Sequence, residues 1–145
     1  MAESLVRNGH RKVDVVTPYV ELTNERLKQF LRGHGVEVGT LGTFDMLDMF
    51  DHAKIRPEEI YRRVKEITTP ETSAVFVACT QLRAMEVLDM LERDIGKPVY
   101  SAIQATAWLT YEAMGVDPKI EDCGSLLRSL GTRRPEPAVP LRRTV

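Results

Sequence analysis

Apolar residues along this chain fall into short unbroken runs separated by longer stretches with helical spacing. Ala74-Val-Phe-Val-Ala78 carries no charge and is rich in β-branched and aromatic side chains, the pattern of a strand buried on both faces. Val13-Asp-Val-Val16, Val36-Glu-Val38 (reaching Leu41) and Val99-Tyr100 read as three further strands. Between them, Thr17 as cap and Pro18 at the first position predict a helix to Arg32. It has Val20, Leu27, Phe30 and Leu31 near one face and is ended by Gly33 and Gly35. Pro57-Glu-Glu59 starts a second helix with Ile60, Val64 and Ile67 inward, closed by Thr68-Thr-Pro70. A third is predicted over 80–94, with Leu82, Met85, Leu88 and Leu91 on its core face, Gly96 as its cap and Pro98 blocking its continuation. A fourth is predicted over 101–114, lined by Ala102, Ala105, Thr106, Leu109 and Ala113 and stopped at Gly115. Residues 2–8 and the cluster Leu126, Leu127 and Leu130 add short helical pieces at either end.

Four βα units in a row predict an α/β fold: a four-stranded parallel sheet in the order 2-1-3-4, wound like flavodoxin, with helices on both faces. The span 39–56 is long for a link in such a fold, and it carries Phe44, Met46, Leu47, Met49 and Phe50. It reads either as an extra short helix packed on the core or as a lid or subunit contact. Residues 1–131 are expected to make a single α/β domain. Residues 132–145, with Pro135, Pro137 and Pro140 among arginines, are expected to form a disordered tail.

Composition narrows the function classes. A net charge of -1 gives no electrostatic reason to expect nucleic acid or an anionic membrane as partner. Cys79 and Cys123 are far apart and lack metal-ligand spacing, which argues against a disulfide framework or a zinc site; no metal or cofactor is expected. The sequence shows no secretion signal or apolar run of spanning length, so the expected location is cytoplasmic.

Cys79 sits where the central strand gives way to the third helix, on the carboxyl edge of the sheet where ligands of α/β proteins bind. A thiol just ahead of a helix N-terminus meets unpaired N–H groups that favour its thiolate. The plainer alternative is a small buried hydrophobe. Cys123, in the polar turn Glu-Asp-Cys-Gly, reads as incidental. Other strand-to-helix chemistries fail on particular residues. A low-molecular-weight tyrosine phosphatase needs Cys-x5-Arg, and the sixth position after Cys79 is Met85. A receiver domain needs an Asp where Cys79 stands, and dinucleotide binding needs a glycine-rich first turn, which Thr17-Pro-Tyr-Val20 is not.

Several motifs occur in one order: Val15-Val-Thr-Pro-Tyr19, Asn24-Glu-Arg-Leu27, Arg56-Pro-Glu-Glu-Ile60, Val75-Phe-Val-Ala-Cys-Thr-Gln-Leu-Arg83, Gly96-Lys-Pro-Val99 and Ser101-Ala-Ile-Gln-Ala-Thr106. Together they resemble the maleate cis-trans isomerase and arylmalonate decarboxylase branch of the Asp/Glu racemase superfamily, over about residues 10–130. The resemblance implies cofactor-independent isomerase or racemase chemistry on a small carboxylate or dicarboxylate, in a cleft between two similar α/β halves. It makes Cys79 the acid/base or nucleophile and places Thr17, Tyr19, Thr80 and Gln81 around the substrate, with backbone N–H groups after Cys79 holding a carboxylate.

The departures from that pattern shape the expectation. The resemblance covers only the family's second half, so a site completed by a homodimer or by a separately encoded first half is expected. Where isomerases of the group often carry asparagines, this chain has Asp48-Met-Phe50 and Ile103. Two alternatives stand beside the isomerase reading: a decarboxylase-like enzyme using one cysteine, and an inactive half-domain serving as a binding or assembly module.

Overall fold

The computed structural model describes residues 1–130; the expected tail at 132–145 lies outside them. Strands β1 (Lys12–Thr17), β2 (Glu37–Thr43), β3 (Ala74–Val77) and β4 (Val99–Ser101) form one parallel sheet in the order β2-β1-β3-β4, as the sequence predicts. Six helices accompany it among the described residues: α1 (Ala2–Arg7), α2 (Glu21–Gly33), α3 (Pro57–Ile67), α4 (Leu88–Ile95), α5 (Ala102–Met114) and α6 (Gly124–Arg128).

Alternation along the central strands builds two cores. Val13, Val15, Ala74 and Phe76 join Leu31 of α2, Trp108 of α5 and Leu126 and Leu127 of α6 on one face. Val16, Val75 and Val77 join Ile60 and Val64 of α3 and Leu88 and Leu91 of α4 on the other. Each fully buried Val, Leu or Phe contributes about 1.5–3 kcal/mol over leaving it exposed, so the sheet's interior strands dominate stability.

Three expectations are corrected. The first helix begins at Glu21 rather than Pro18, because Thr17 stays in β1 and Pro18 is stitched to the segment after β2: its carbonyl accepts the Met46 N–H at 2.8 Å. The continuous helix expected over 80–94 is instead a turn, a 3-10 helix (Ala84–Glu86) and then α4. The apolar positions 82, 85, 88 and 91 recur every three residues, a spacing that suits 3-10 geometry as well as an α-helix. In α5, Thr106 and Ala113 are exposed, while Gln104 and Trp108 are buried. That helix is apolar on most sides, so side-chain volume rather than periodicity selects the inward face, and Trp108 takes it.

The amino edge of the sheet is closed by a buried carboxylate. Register between β1 and β2 slips by one residue between Val13 and Val15. There Asp14, with no exposed surface, accepts the Thr40 N–H at 2.8 Å, the Thr69 N–H at 2.8 Å and the Thr72 hydroxyl at 2.6 Å. Lys97 Nζ donates to the Thr69 carbonyl and, at 2.6 Å, to the Thr72 carbonyl, tying the same loop to the start of β4.

Candidate functional site

At the opposite edge, β1 anchors the chain on both sides. Three successive carbonyls at its end accept from neighbouring segments: Val16 from the Ala78 N–H at 2.9 Å, Thr17 from Phe44 at 2.9 Å and Pro18 from Met46 at 2.8 Å. The residues leaving β3 and β2 are thereby brought together beside the turn that carries Tyr19.

Thr17 is fully buried, and its hydroxyl is engaged twice. It donates to Asn24 Oδ1 at 2.6 Å and accepts the Tyr19 N–H at 3.3 Å. Asn24, also fully buried, returns its amide to the Tyr19 carbonyl at 2.8 Å, and the Thr43 hydroxyl donates to the same carbonyl at 2.5 Å. Thr17 therefore holds Tyr19 in place from beneath and presents no surface of its own.

Cys79 is half-buried and has φ +83°. A non-glycine residue in the left-handed region carries a strain of about 1–2 kcal/mol, which persists where the surroundings fix it and is concentrated at functional sites. Because α4 begins only at Leu88, Cys79 does not sit at a helix N-terminus, and the expected helix-end stabilisation of its thiolate is absent. Its sulfur has other neighbours. Sγ lies 3.9 Å from His52 Nδ1 and 3.8 Å from Gln81 Oε1, and the Tyr19 phenol is near enough to feel its charge. Burial first, and then the charge of Cys79, hold the Tyr19 phenol well above its ordinary range, so Tyr19 is a donor that keeps its proton.

His52 had no counterpart among the sequence-predicted site residues. It lies in the 3-10 helix Met49–Lys54, whose first turn is capped by Asp48 Oδ1 accepting the Phe50 N–H at 2.9 Å. It is 6% exposed, its ring is edge-on to Tyr19 with centroids 5.8 Å apart, and its Nε2 lies 3.3 Å from the Met46 carbonyl. The 39–56 span thus divides. Residues 39–43 belong to β2, and Phe44 and Met46 pack against the second core. Leu47 (88% exposed), Met49 and Phe50 (77% exposed) are the apolar side chains of this span that face solvent. Thr80 and Gln81 follow Cys79 in an exposed turn.

Cys123 behaves differently: burial, followed by the charges of Asp89 and Asp122, raises its thiol above the ordinary range. Its carbonyl accepts Gln104 Nε2 at 2.5 Å, joining α5 to the start of α6. Among the described residues no three His, Cys, Asp or Glu side chains converge as a metal site, and no helix is long and apolar enough to cross a membrane.

The family model described as arylmalonate decarboxylase matches residues 1–127. The chain belongs to the arylmalonate decarboxylase family. Among curated relatives, the maleate isomerase of Alcaligenes faecalis is 25% identical over 128 residues, which cover 88% of this chain and 51% of the relative. The maleate isomerase of Nocardia farcinica is 23% identical over 129 residues, 88% of this chain and 51% of the relative. Among solved structures, the maleate isomerase Iso of Pseudomonas putida S16 superposes with a TM-score of 0.84 at 27% identity, covering 91% of this chain and 53% of that one. A crystal structure of arylmalonate decarboxylase gives a TM-score of 0.73 at 21% identity, over 88% of this chain and 57% of that one, a likeness of fold. The chain spans about half the length of the curated relatives it matches.

Proposed function

We propose that the chain contributes the Cys79 half of a maleate isomerase-like site acting on a small unsaturated dicarboxylate without a cofactor. The observation that carries this reading is the strained Cys79 at the carboxyl edge, its sulfur beside His52 and Gln81 and near the Tyr19 phenol. A Cys79 thiolate adds to one carbon of the double bond: the S–C bond forms, and the π electrons move into the carboxylate on the neighbouring carbon, giving an enediolate-like intermediate. The former double bond is now single and rotates. Return of the electrons expels the thiolate and leaves the trans isomer, with atoms and charge unchanged. Tyr19 steadies the sulfur at both ends of this cycle, Thr17 and Asn24 keep Tyr19 in register, and Thr80 and Gln81 are the exposed polar side chains beside the reacting carbon.

The second half of the cleft comes from another copy of the chain or from a separately encoded first half. The exposed apolar side chains of Leu47, Met49 and Phe50, in the segment that carries His52, support this reading. Conversion of maleate to fumarate, followed by NMR with the chain alone and with a candidate first-half protein, tests the activity, with Cys79→Ala as control. No conversion in either mixture, with a monodisperse monomer by light scattering that Phe50→Asp leaves unchanged, would refute both parts. The family match also favours a second reading, single-thiol decarboxylation of a substituted malonate, in which Cys79 protonates the carbanion left by loss of carbon dioxide. Release of carbon dioxide from arylmalonates in the absence of maleate turnover would select it.

A further inference from the structure

The Nε2 of His52 faces a carbonyl, and a carbonyl can only accept. Nε2 therefore carries the ring proton, and Nδ1 is left as a bare acceptor 3.9 Å from Cys79 Sγ. The residue is 6% exposed, its ring sits edge-on to Tyr19, and it lies on a 3-10 helix held by its own Asp48 cap, so the ring is held from three sides. We infer that His52 is the base that takes the thiol proton of Cys79, making a Cys79–His52 pair within this one chain. The inference deepens the proposed function and rests on it only for the identity of the reaction. In the step itself the S–H bond breaks and an N–H bond forms at Nδ1, leaving thiolate and imidazolium. The proton stays on His52 until the sulfur is released again. Facing the pair are the Tyr19 hydroxyl, from the segment after β1, and the neutral amide of Gln81, from the turn of Cys79 itself. Asp51 and Lys54, beside His52 in the chain, pair with each other at 2.5 Å. Such a pair places the proton acceptor in the same chain as the thiol.

Alkylation by iodoacetamide, read by mass spectrometry at both cysteines over a pH series, tests this without any substrate. Cys123, whose thiol is raised, is the internal reference. In the unmodified chain Cys79 should react about tenfold faster than Cys123 at neutral pH. His52→Gln, whose amide retains a donor for the Met46 carbonyl, should remove most of that advantage at neutral pH and little of it at high pH, where any thiol ionises. His52→Phe, checked for folding by circular dichroism, should do the same. Tyr19→Phe separates the effect of the phenol from that of the imidazole. An equal Cys79 rate in the unmodified chain and in His52→Gln across the series would overturn the inference. Fast, His52-dependent alkylation without maleate turnover would leave the pair standing and remove the proposed reaction. Turnover without His52 dependence would do the reverse.

Discussion

The two edges of this sheet handle polar groups in opposite ways. At the amino edge, Asp14 is wholly buried and receives well-placed donors from Thr40, Thr69 and Thr72, at 2.6–2.8 Å, with Lys97 clasping the same loop. At the carboxyl edge, Cys79 is half-buried, takes a left-handed backbone conformation and meets its imidazole and amide neighbours at 3.8–3.9 Å. A saturated buried network repays its desolvation and gives rigidity, whereas loosely held groups in a strained turn retain capacity for a reacting partner. The first edge makes the platform, and the second holds the groups of the proposed chemistry.

The sharpest way to break this contrast is Asp14→Ala. It leaves the part-buried N–H groups of Thr40 and Thr69 and the buried Thr72 hydroxyl without their shared acceptor, so unfolding in urea should show a loss of about 3 kcal/mol, while the Cys79 alkylation rate of the remaining folded protein stays the same. A loss under about 1 kcal/mol would mean that the amino edge is not the stabilising one. Asn24→Ala comes next. It removes the acceptor for Thr17 and one donor to the Tyr19 carbonyl, and should cost about 1–2 kcal/mol and slow any turnover, since Tyr19 loses its seat.

Smaller and opposite in sign is Cys79→Gly. Glycine accepts φ +83° without penalty, so this variant should be more stable than Cys79→Ala by about 1 kcal/mol, although both lack the thiol. Equal denaturation midpoints would show that the turn is unstrained. The smallest effect concerns pH. The folded Tyr19 phenol lies above its ordinary value of 10.0, so below that pH both folded and unfolded states hold the proton and the contribution is full. As pH rises past it, the unfolded chain ionises first and stability falls. In Tyr19→Phe the slope of stability against pH above about 10 should be shallower than in the parent chain.

The platform was readable in the sequence because its signals are local. A strand covered on both faces shows as an uninterrupted apolar run, and Pro57-Glu-Glu59 announces α3 at its first residue. What escaped reading depends on distant partners. Asp14 looks like an ordinary polar position in a strand, but its donors lie 55 and 58 residues onward in Thr69 and Thr72. His52 stands 27 residues before Cys79 in a span without regular periodicity, so only the pairing of β1 with both neighbours reveals their meeting. Thr17-Pro18 carried a sound helix-start signal and was overruled because Asn24, seven residues on, captures the threonine hydroxyl. The Leu82 to Leu91 stripe is buried largely as expected, yet its three-residue spacing could not separate a 3-10 turn from an α-helix.

The run of carbonyls from Val16 to Pro18 also bears on how this chain tolerates changes of length. Consecutive carbonyls of a strand face opposite sides, which is how Val16 serves the Cys79 arm while Thr17 serves the His52 arm. Deleting or inserting one residue there would exchange the arms each carbonyl meets, separating Cys79, His52 and Tyr19 in one stroke while leaving Val13 and Val15 in the core. An insertion of the same size between Gly115 and Gly124, a stretch between helices far from this edge in the chain, would leave that register intact. Among descendants of this sequence, gaps should therefore accumulate after α5 and stay out of the end of β1.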